Sequence, residues 1–323
     1  MIGNADGDRV GRTDRLTPAE VAEVLALAET ATAADGAAPL AEHVLLRLRH
    51  PGAPAAHLTV RDPAGTLTGY AHLDLTAPGQ GVGLELAVHP AHRHRGLGRA
   101  LVEAALATSP GPLRAWAHGD HPSAAALAVD LGFTRTRLLW QLRRPLTAEL
   151  PDPVLPDGVI LRAFEPGVDD EPWLALNARA FADHPEQGRF SHDDLRVRMT
   201  EPWFDPAGFL LAVESSTGRP LGFHWTKIHG TGGPAAGTGP GSGTAPGSGS
   251  AAGRIGEVYV LGVDPDAHRG GLGRALTSAG LAYLRAQGLD RAMLYVDDSN
   301  TRAVALYERL GFARWTAHVV YQS

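Results

Sequence analysis

The hexapeptide Gly-Leu-Gly-Arg-Ala-Leu occurs twice, at Gly96–Leu101 and at Gly271–Leu276, each time after a Val-x-Pro step and a basic stretch. Glycines in a G-x-G pair between a strand and a helix let several backbone N–H groups converge where the helix dipole is positive. That arrangement holds a phosphate or pyrophosphate. Neighbouring arginines, Arg93, Arg95 and Arg99 in the first copy, strengthen the case for an anion site. The pattern is not the dinucleotide fingerprint, whose third glycine is replaced by Leu101 and Leu276, nor a P-loop, since no Lys-Ser/Thr pair follows.

The copies differ in the groups that could move protons. Setting Val88 against Val263 places Val82 opposite Glu257, and superposing the Leu-Gly-Phe tripeptides at 131–133 and 310–312 places Ala128 opposite Tyr307. The second copy therefore has a carboxylate at the start of its motif strand and a phenol on its last helix. A carboxylate can take a proton and a phenol can give one. Both residues also have plain structural roles, Glu257 as a solvated edge charge and Tyr307 as helix-to-sheet packing.

The elements that must position these groups recur in the same order. Thr17 as N-cap, Pro18 at the first helical position and Glu20 three residues after the cap predict a helix from Pro18. Strands are expected at "AAHLTVRD", "LTGYAHLDLT" and "GVGLELAVHP", then the motif helix to Thr108, strand "LRAWAHG", helix "SAAALAVDLG" and a strand from Thr134. The proline-rich segment around 145–156 marks the boundary, giving a flexible tail at 1–15, a domain at 16–147, a linker at 148–157 and a domain at 158–323. The second domain runs "VILRAF", helix "PWLALNARAF", "FLLAVES", "LGFHWTKI", "GEVYVLGVDP", motif helix, "RAMLYVDD", helix "TRAVALYERLG" and "ARWTAHVVYQ". Residues 229–254, almost wholly Gly, Pro, Ala, Ser and Thr, are expected as a disordered insertion without chemistry.

Composition bounds the function. A chain with 44% hydrophobic and 20% charged residues has enough apolar material for two cores, and no apolar run approaches the ~18 residues a membrane span requires. With no cysteine, thiolate nucleophiles, disulfides and thiolate metal sites are excluded, and the cytoplasm is the expected compartment. A net charge of −6 offers no general attraction to nucleic acid. The histidines, His92 and His94 included, form no ligand set of convincing spacing, so no metal is expected.

Each half resembles a GCN5-related N-acetyltransferase (GNAT) domain, whose acetyl-CoA motif is Arg/Gln-x-x-Gly-x-Gly/Ala. The first copy matches with Arg93, Gly96 and Gly98; the second has Gly271 and Gly273 but His268 in the Arg/Gln place. The expected fold class is α/β, two tandem GNAT domains, each a mixed, mostly antiparallel sheet flanked by helices. The stretches "ADGAAPLAEHVL", "HPEQGRF", "HWTKI", "GEVYVLGVDP", "MLYVDDSN" and "ALYERLGF" further resemble the mycothiol synthase family of tandem acetyltransferases from actinobacteria.

This resemblance implies an acyltransferase with acetyl-CoA as co-substrate and Glu257 and Tyr307 as general base and general acid. The implied acceptor is the cysteinyl amine of 1D-myo-inositol 2-(L-cysteinylamino)-2-deoxy-α-D-glucopyranoside, with contacts at Asp35, Glu186, Lys227, Glu257 and Tyr295. Because these contacts are spread over both halves, the acceptor is expected near the domain junction. In the second half, Leu261, Gly262 and Val263 would pair with the pantetheine arm. His268, Arg269, Gly270, Gly271, Leu272, Gly273 and Arg274 would hold the pyrophosphate. The far end of the ligand would lie along Asn300, Thr301, Arg302, Ala303, Val304 and Ala305. In the first, non-catalytic half, Leu86, Ala87 and Val88, with the loop Arg93, His94, Arg95, Gly96, Leu97, Gly98 and Arg99, would hold a second, unreactive acetyl-CoA.

The chemistry sets one demand. An ordinary carboxylate, pKa ~4.3, is a poor base for an α-amine of pKa ~8, so Glu257 calls for burial or an intervening water. The expected partner is a small-molecule amine, with no nucleic acid, no membrane and a monomeric chain. A tandem acetyltransferase for another amine, such as an antibiotic or a protein N-terminus, is the rival enzyme. An acetyl-CoA-binding sensor is the rival of another class, and the first half has the look of one.

Overall fold

The computed structural model describes residues 10–76, 81–182, 184, 187–230, 253–267 and 270–323. Two compact units emerge. The first contains the chain up to Trp140 together with residues 297–299 and 316–323; the second contains 141–296 and 300–315.

In the first unit, a short strand β1 (Gly11–Thr13) pairs antiparallel with residues 57–59, so part of the expected flexible tail is ordered sheet. Helix α1 (Pro18–Asp35) starts in the predicted capping box. The Thr17 N–H donates to Glu20 Oε2 at 2.8 Å and the Glu20 N–H to Thr17 Oγ1 at 3.3 Å, satisfying two donors the helix itself leaves open. After helix α2 (Glu42–Arg49) come strands β2 (Ala55–Arg61), β3 (Leu67–Asp74) and β4 (Val82–Val88), helix α3 (Leu97–Thr108), strand β5 (Leu113–His118), helix α4 (Pro122–Asp130) and strand β6 (Thr134–Pro145). Antiparallel pairing runs from β1 through β4, then β5 joins in parallel. Beyond β5 lies the chain's own C-terminal segment, with His318 opposite His118 and Gln322 opposite Arg114. Leu97, Leu101, Val102 and Ala105 turn one face of α3 onto Leu58, Val60, Leu73, Leu84 and Leu113.

The second unit repeats the plan with strand β7 (Val159–Ala163), helices α5 (Asp170–Ala180) and α6 (His192–Met199), and strands β8 (Phe209–Glu214), β9 (Pro220–His229) and β10 (Ile255–Val263). Helix α7 (Leu272–Ala286), strand β11 (Arg291–Asp297), helix α8 (Thr301–Arg309) and strand β12 (Ala313–Gln322) follow. The sheet order is β7-β8-β9-β10-β11, and β6, whose residues from Gln141 on belong to this unit, lies beside β11. Segment 148–157 also belongs to this unit. Its core is aromatic: the Trp173 ring meets Phe209 edge-on at 5.4 Å, and Phe209 stacks on Trp225 at 4.4 Å.

The expected disorder at 229–254 falls on residues 231–252, outside the described residues. His229 ends β9 and pairs with Ile255, so the described ends of that segment meet across a β-ladder. None of the described helices is long and apolar enough to cross a membrane.

Candidate active site

The two G-x-G loops fold alike. Gly96 and Gly271 stand immediately before α3 and α7 with φ of 87° and 94°, a left-handed conformation that any Cβ would strain. The N-cap glycines contribute no side-chain cap, so the first-turn N–H groups have no partner from that residue. Leu97 and Leu272 are buried in their cores, and what they offer a ligand is backbone. In the first copy Arg93 is fully engaged: its two terminal nitrogens donate to the two Asp35 oxygens at 2.6 and 2.8 Å, and its Nε donates to the Val88 carbonyl at 3.2 Å. Arg99 donates to Asp130 at 2.6 Å. His268, Arg269 and Glu186 lie outside the described residues. In α8, Asn300 is an N-cap, accepting from the Ala303 N–H at 3.1 Å, and Val304 is buried.

Both units part their central strands at the same place. In the first, β4 and β5 pair only through Val82, Gly83 and Leu84, opposite Leu113, Arg114 and Ala115, while β3 follows β4 up to Val88. In the second, β10 and β11 pair only through Gly256, Glu257 and Val258, opposite Ala292, Met293 and Leu294. Past these pairs one edge of β4, at Leu86–Val88, and of β10, at Leu261–Val263, is open for an extended ligand. A cavity of about 370 Å³ occupies the gap in the first unit, walled by Leu86, Val88, Gly98, Trp116 and Leu127. Ala128, which stands where the second copy has Tyr307, is also in that wall.

The strand registers correct the ungapped comparison of the two copies. The β9–β10 ladder shifts between Val258 and Val260, a bulge that accommodates one extra residue, Tyr259, whereas β3–β4 pairs without a shift. Counting from the first parallel pairs, Gly83 rather than Val82 stands opposite Glu257. The first copy thus presents no side chain at that position.

Glu257 is 6% exposed. It is register partner to Lys227 on β9 and to Met293 on β11, which places Tyr295, two residues on, along the same face. Burial, then the Glu257 charge, pushes the Tyr295 hydroxyl up to about 12. Gln141 Nε2 donates to that hydroxyl at 2.7 Å and is itself held by Arg143 Nε at 2.8 Å. The Lys227 ammonium lies over Trp203 at 4.7 Å and Tyr259 at 5.2 Å, an aromatic cage for a buried cation. His229 Nε2 meets Glu257 Oε2 at 2.5 Å. Tyr307, on α8, is buried against Phe312 with ring centres 5.7 Å apart, and burial pushes its phenol up to about 12. Of the predicted acceptor contacts, the second unit therefore brings Lys227, Glu257 and Tyr295 together, while Asp35 belongs to the first unit.

Family models match both units. An acetyltransferase (GNAT) family model covers residues 173–312, and an acetyltransferase (GNAT) domain model covers 54–135. A mycothiol acetyltransferase of Salinispora tropica is 67% identical over 98% of this chain and 97% of its own length. One of Thermobispora bispora is 54% identical over 95% of this chain and 97% of its own. The chain belongs to the GNAT acetyltransferase family. Its fold is that of a tandem GNAT protein from the clavulanic acid biosynthesis pathway, with a TM-score of 0.68 at 23% identity and 98% of both chains covered. A GNAT protein of Sphaerobacter thermophilus gives 0.66 at 24% identity, covering 98% of this chain and 96% of its own.

As a GNAT protein the chain is an acetyl-CoA-dependent N-acetyltransferase, and its units are unequal. The first has a buried carboxylate of its own, Glu85, which belongs to no motif in the sequence. Glu85 accepts from the Ala41 N–H at 2.5 Å and lies 3.4 Å from His118 Nε2 and 3.6 Å from His43 Nε2. His118 Nδ1 in turn meets His318 Nδ1 at 2.7 Å. Burial works to raise the Glu85 pKa, but these partners outweigh it and hold the carboxyl at about 2. The signal available in the sequence was the alternation of β3 and β4, which sets Glu85 opposite His72.

Proposed function

We propose that the chain acetylates the cysteinyl amine of 1D-myo-inositol 2-(L-cysteinylamino)-2-deoxy-α-D-glucopyranoside, the last step of mycothiol formation, and does so in its second unit. The observation that carries the substrate is the likeness over nearly the full length to the curated mycothiol acetyltransferases. The assignment of chemistry to the second unit rests on Glu257, Lys227 and Tyr295 sharing one face beside an open strand edge.

The residues present suit acetyl-CoA: a helix N-terminus behind a left-handed glycine for the pyrophosphate, and the free edge of Leu261–Val263 for an extended arm. When bound, it supplies the thioester carbonyl that the amine attacks. Glu257 takes the proton that the acceptor's ammonium must lose, directly or through one water. Lys227 and Tyr295 contact the acceptor along the same face. Tyr307, kept protonated by burial, donates a hydrogen bond to the departing sulfur. Full transfer to a thiolate whose conjugate acid has pKa ~8.5 is uphill for such a phenol, so the proton moves only as the thiolate leaves. Asp35 belongs to the first unit, where Arg93 holds both of its carboxylate oxygens. The chain is proposed to act as a cytoplasmic monomer, with the first unit binding rather than reacting.

The test is product identity. Purified protein given acetyl-CoA and the desacetyl cysteinyl-glucosaminyl-inositol should release CoA and yield a product heavier by one acetyl group on the cysteinyl nitrogen. Acetyl-CoA binding with no such product overturns the proposed substrate.

A further inference from the structure

His229 is the last residue of β9, two positions after Lys227, so both side chains stand on the face that carries Glu257. It is the diagonal neighbour of Glu257 across the ladder, a spacing that long and aromatic side chains bridge. The bridge is made: Nε2 and Oε2 are 2.5 Å apart, within hydrogen-bonding reach. The two ends of the contact differ in environment. The Glu257 side chain is 8% exposed and that of His229 is 34% exposed.

A glutamate side chain has three rotatable bonds and two equivalent oxygens, and a base is effective only when one oxygen is aimed. We propose that His229 is a positioning residue for proton removal: its Nε2–H holds Glu257 Oε2, leaving Oε1 to face the acceptor amine. The proton balance is simple. The ammonium N–H bond breaks and an O–H bond forms at Oε1, while the Nε2–H stays on the ring. Glu257 then returns its proton to water.

The other charged and titratable groups around the pair are Lys227 on β9, Tyr295 on β11 with Arg143 behind it, and Arg254 next to Ile255. Lys227 lies over the rings of Trp203 and Tyr259, Tyr295 takes a hydrogen bond from Gln141, and His229 bonds Glu257.

The inference deepens the proposed reaction and rests on Glu257 being the base, so its test has one arm that needs turnover and one that does not. In the first arm, kcat and KM for the cysteinyl acceptor are measured for wild type, His229→Gln and His229→Ala. His229→Ala is expected to lose on the order of 10²-fold, carried by kcat rather than by KM. His229→Gln, which keeps a side-chain N–H, should recover most of the loss. Equal losses in both variants, or losses carried by KM, would make His229 merely structural and overturn the inference. In the second arm, side-chain ¹⁵N spectra of the full-length protein report the His229 tautomer in wild type and in Glu257→Leu, which removes the acceptor. A ring protonated at Nε2 in wild type and altered in the variant supports the inference, and a ring protonated at Nδ1 or unchanged in the variant overturns it. Failure of wild type to turn over the acceptor counts against the substrate alone, because the spectra still decide the pair.

Discussion

Each unit buries one glutamate on its central strand, and the two are held in opposite ways. Glu85 is enclosed by a backbone N–H and two imidazoles, one of which leans on a third, His318. Glu257 has an imidazole on one oxygen and shares its face with Lys227 and Tyr295, the groups assigned to the acceptor. A carboxylate surrounded by donors is a structural anchor: its proton affinity is low, at about 2, and its oxygens are taken. The one-residue bulge at Tyr259 and the absence of any side chain at Gly83 separate the copies further. Burial of a carboxylate therefore does not identify a base; what its oxygens face does.

The largest expected effect sharpens this contrast. Glu257→Gln should lower kcat/KM for CoA release by ~10²–10⁴-fold with little change in melting temperature. Glu85→Gln should leave turnover within about threefold and destabilise the protein by about 1–3 kcal/mol, because His118, His43 and the Ala41 N–H lose a charged partner. Steady-state assays beside calorimetry check both halves, and a Glu85→Gln enzyme with wild-type stability but no turnover would invert the assignment. Next in size, Tyr307→Phe should lower kcat by on the order of 10², and the loss should shrink with a thioester whose leaving thiolate is less basic.

A smaller effect separates the two loops. Alanine at Gly271, where φ is 94°, costs about 1–2 kcal/mol of strain and should raise the KM for acetyl-CoA roughly tenfold. The same change at Gly96 should leave steady-state turnover alone while weakening any ligand of the first cavity, as titration calorimetry would show.

Much of the site could be seen in the chain before folding. Thr17, Pro18 and Glu20 announced α1, the strands around both motifs alternate clearly, and Glu257 and Tyr307 emerged from comparing the copies. Helix α2 escaped notice because its N-cap, Ala41, has no capping side chain, and α6 because "HDDLRVRM" is mostly polar. The bulge was hidden because one inserted residue leaves no mark on an ungapped comparison, and it moved the counterpart of Glu257 from Val82 to Gly83. The assignment of Thr316–Ser323 to the first unit and of Gln141–Pro145 to the second follows from long-range pairing, which local patterns do not encode. His229 was within reach: in "HWTKIH" it lies two residues beyond Lys227, on the same side of a strand.

The smallest effect concerns the imidazoles. Burial holds His72 and His224 down at about 4 and His318 at about 3, so all three stay neutral in the fold while unfolded histidines titrate near 6.5. Between those values the unfolded chain binds more protons, so stability present above pH ~6.5 is lost as the pH falls through ~4. Neither ring nitrogen of His72 meets a hydrogen-bond partner among the described residues, so His72→Leu should reduce that acid loss without harming stability at pH 7. Melting curves from pH 4 to 7 on both proteins would show it, and parallel curves would assign the acid sensitivity elsewhere.

The most direct test of a single working unit removes the second unit's proposed base and acid together and leaves the first untouched. The double variant E257Q/Y307F should still bind acetyl-CoA and should release CoA in the presence of the cysteinyl acceptor no faster than the uncatalysed background. Acetylation of that acceptor at a rate near that of wild type would contradict the account and place the chemistry outside these two residues.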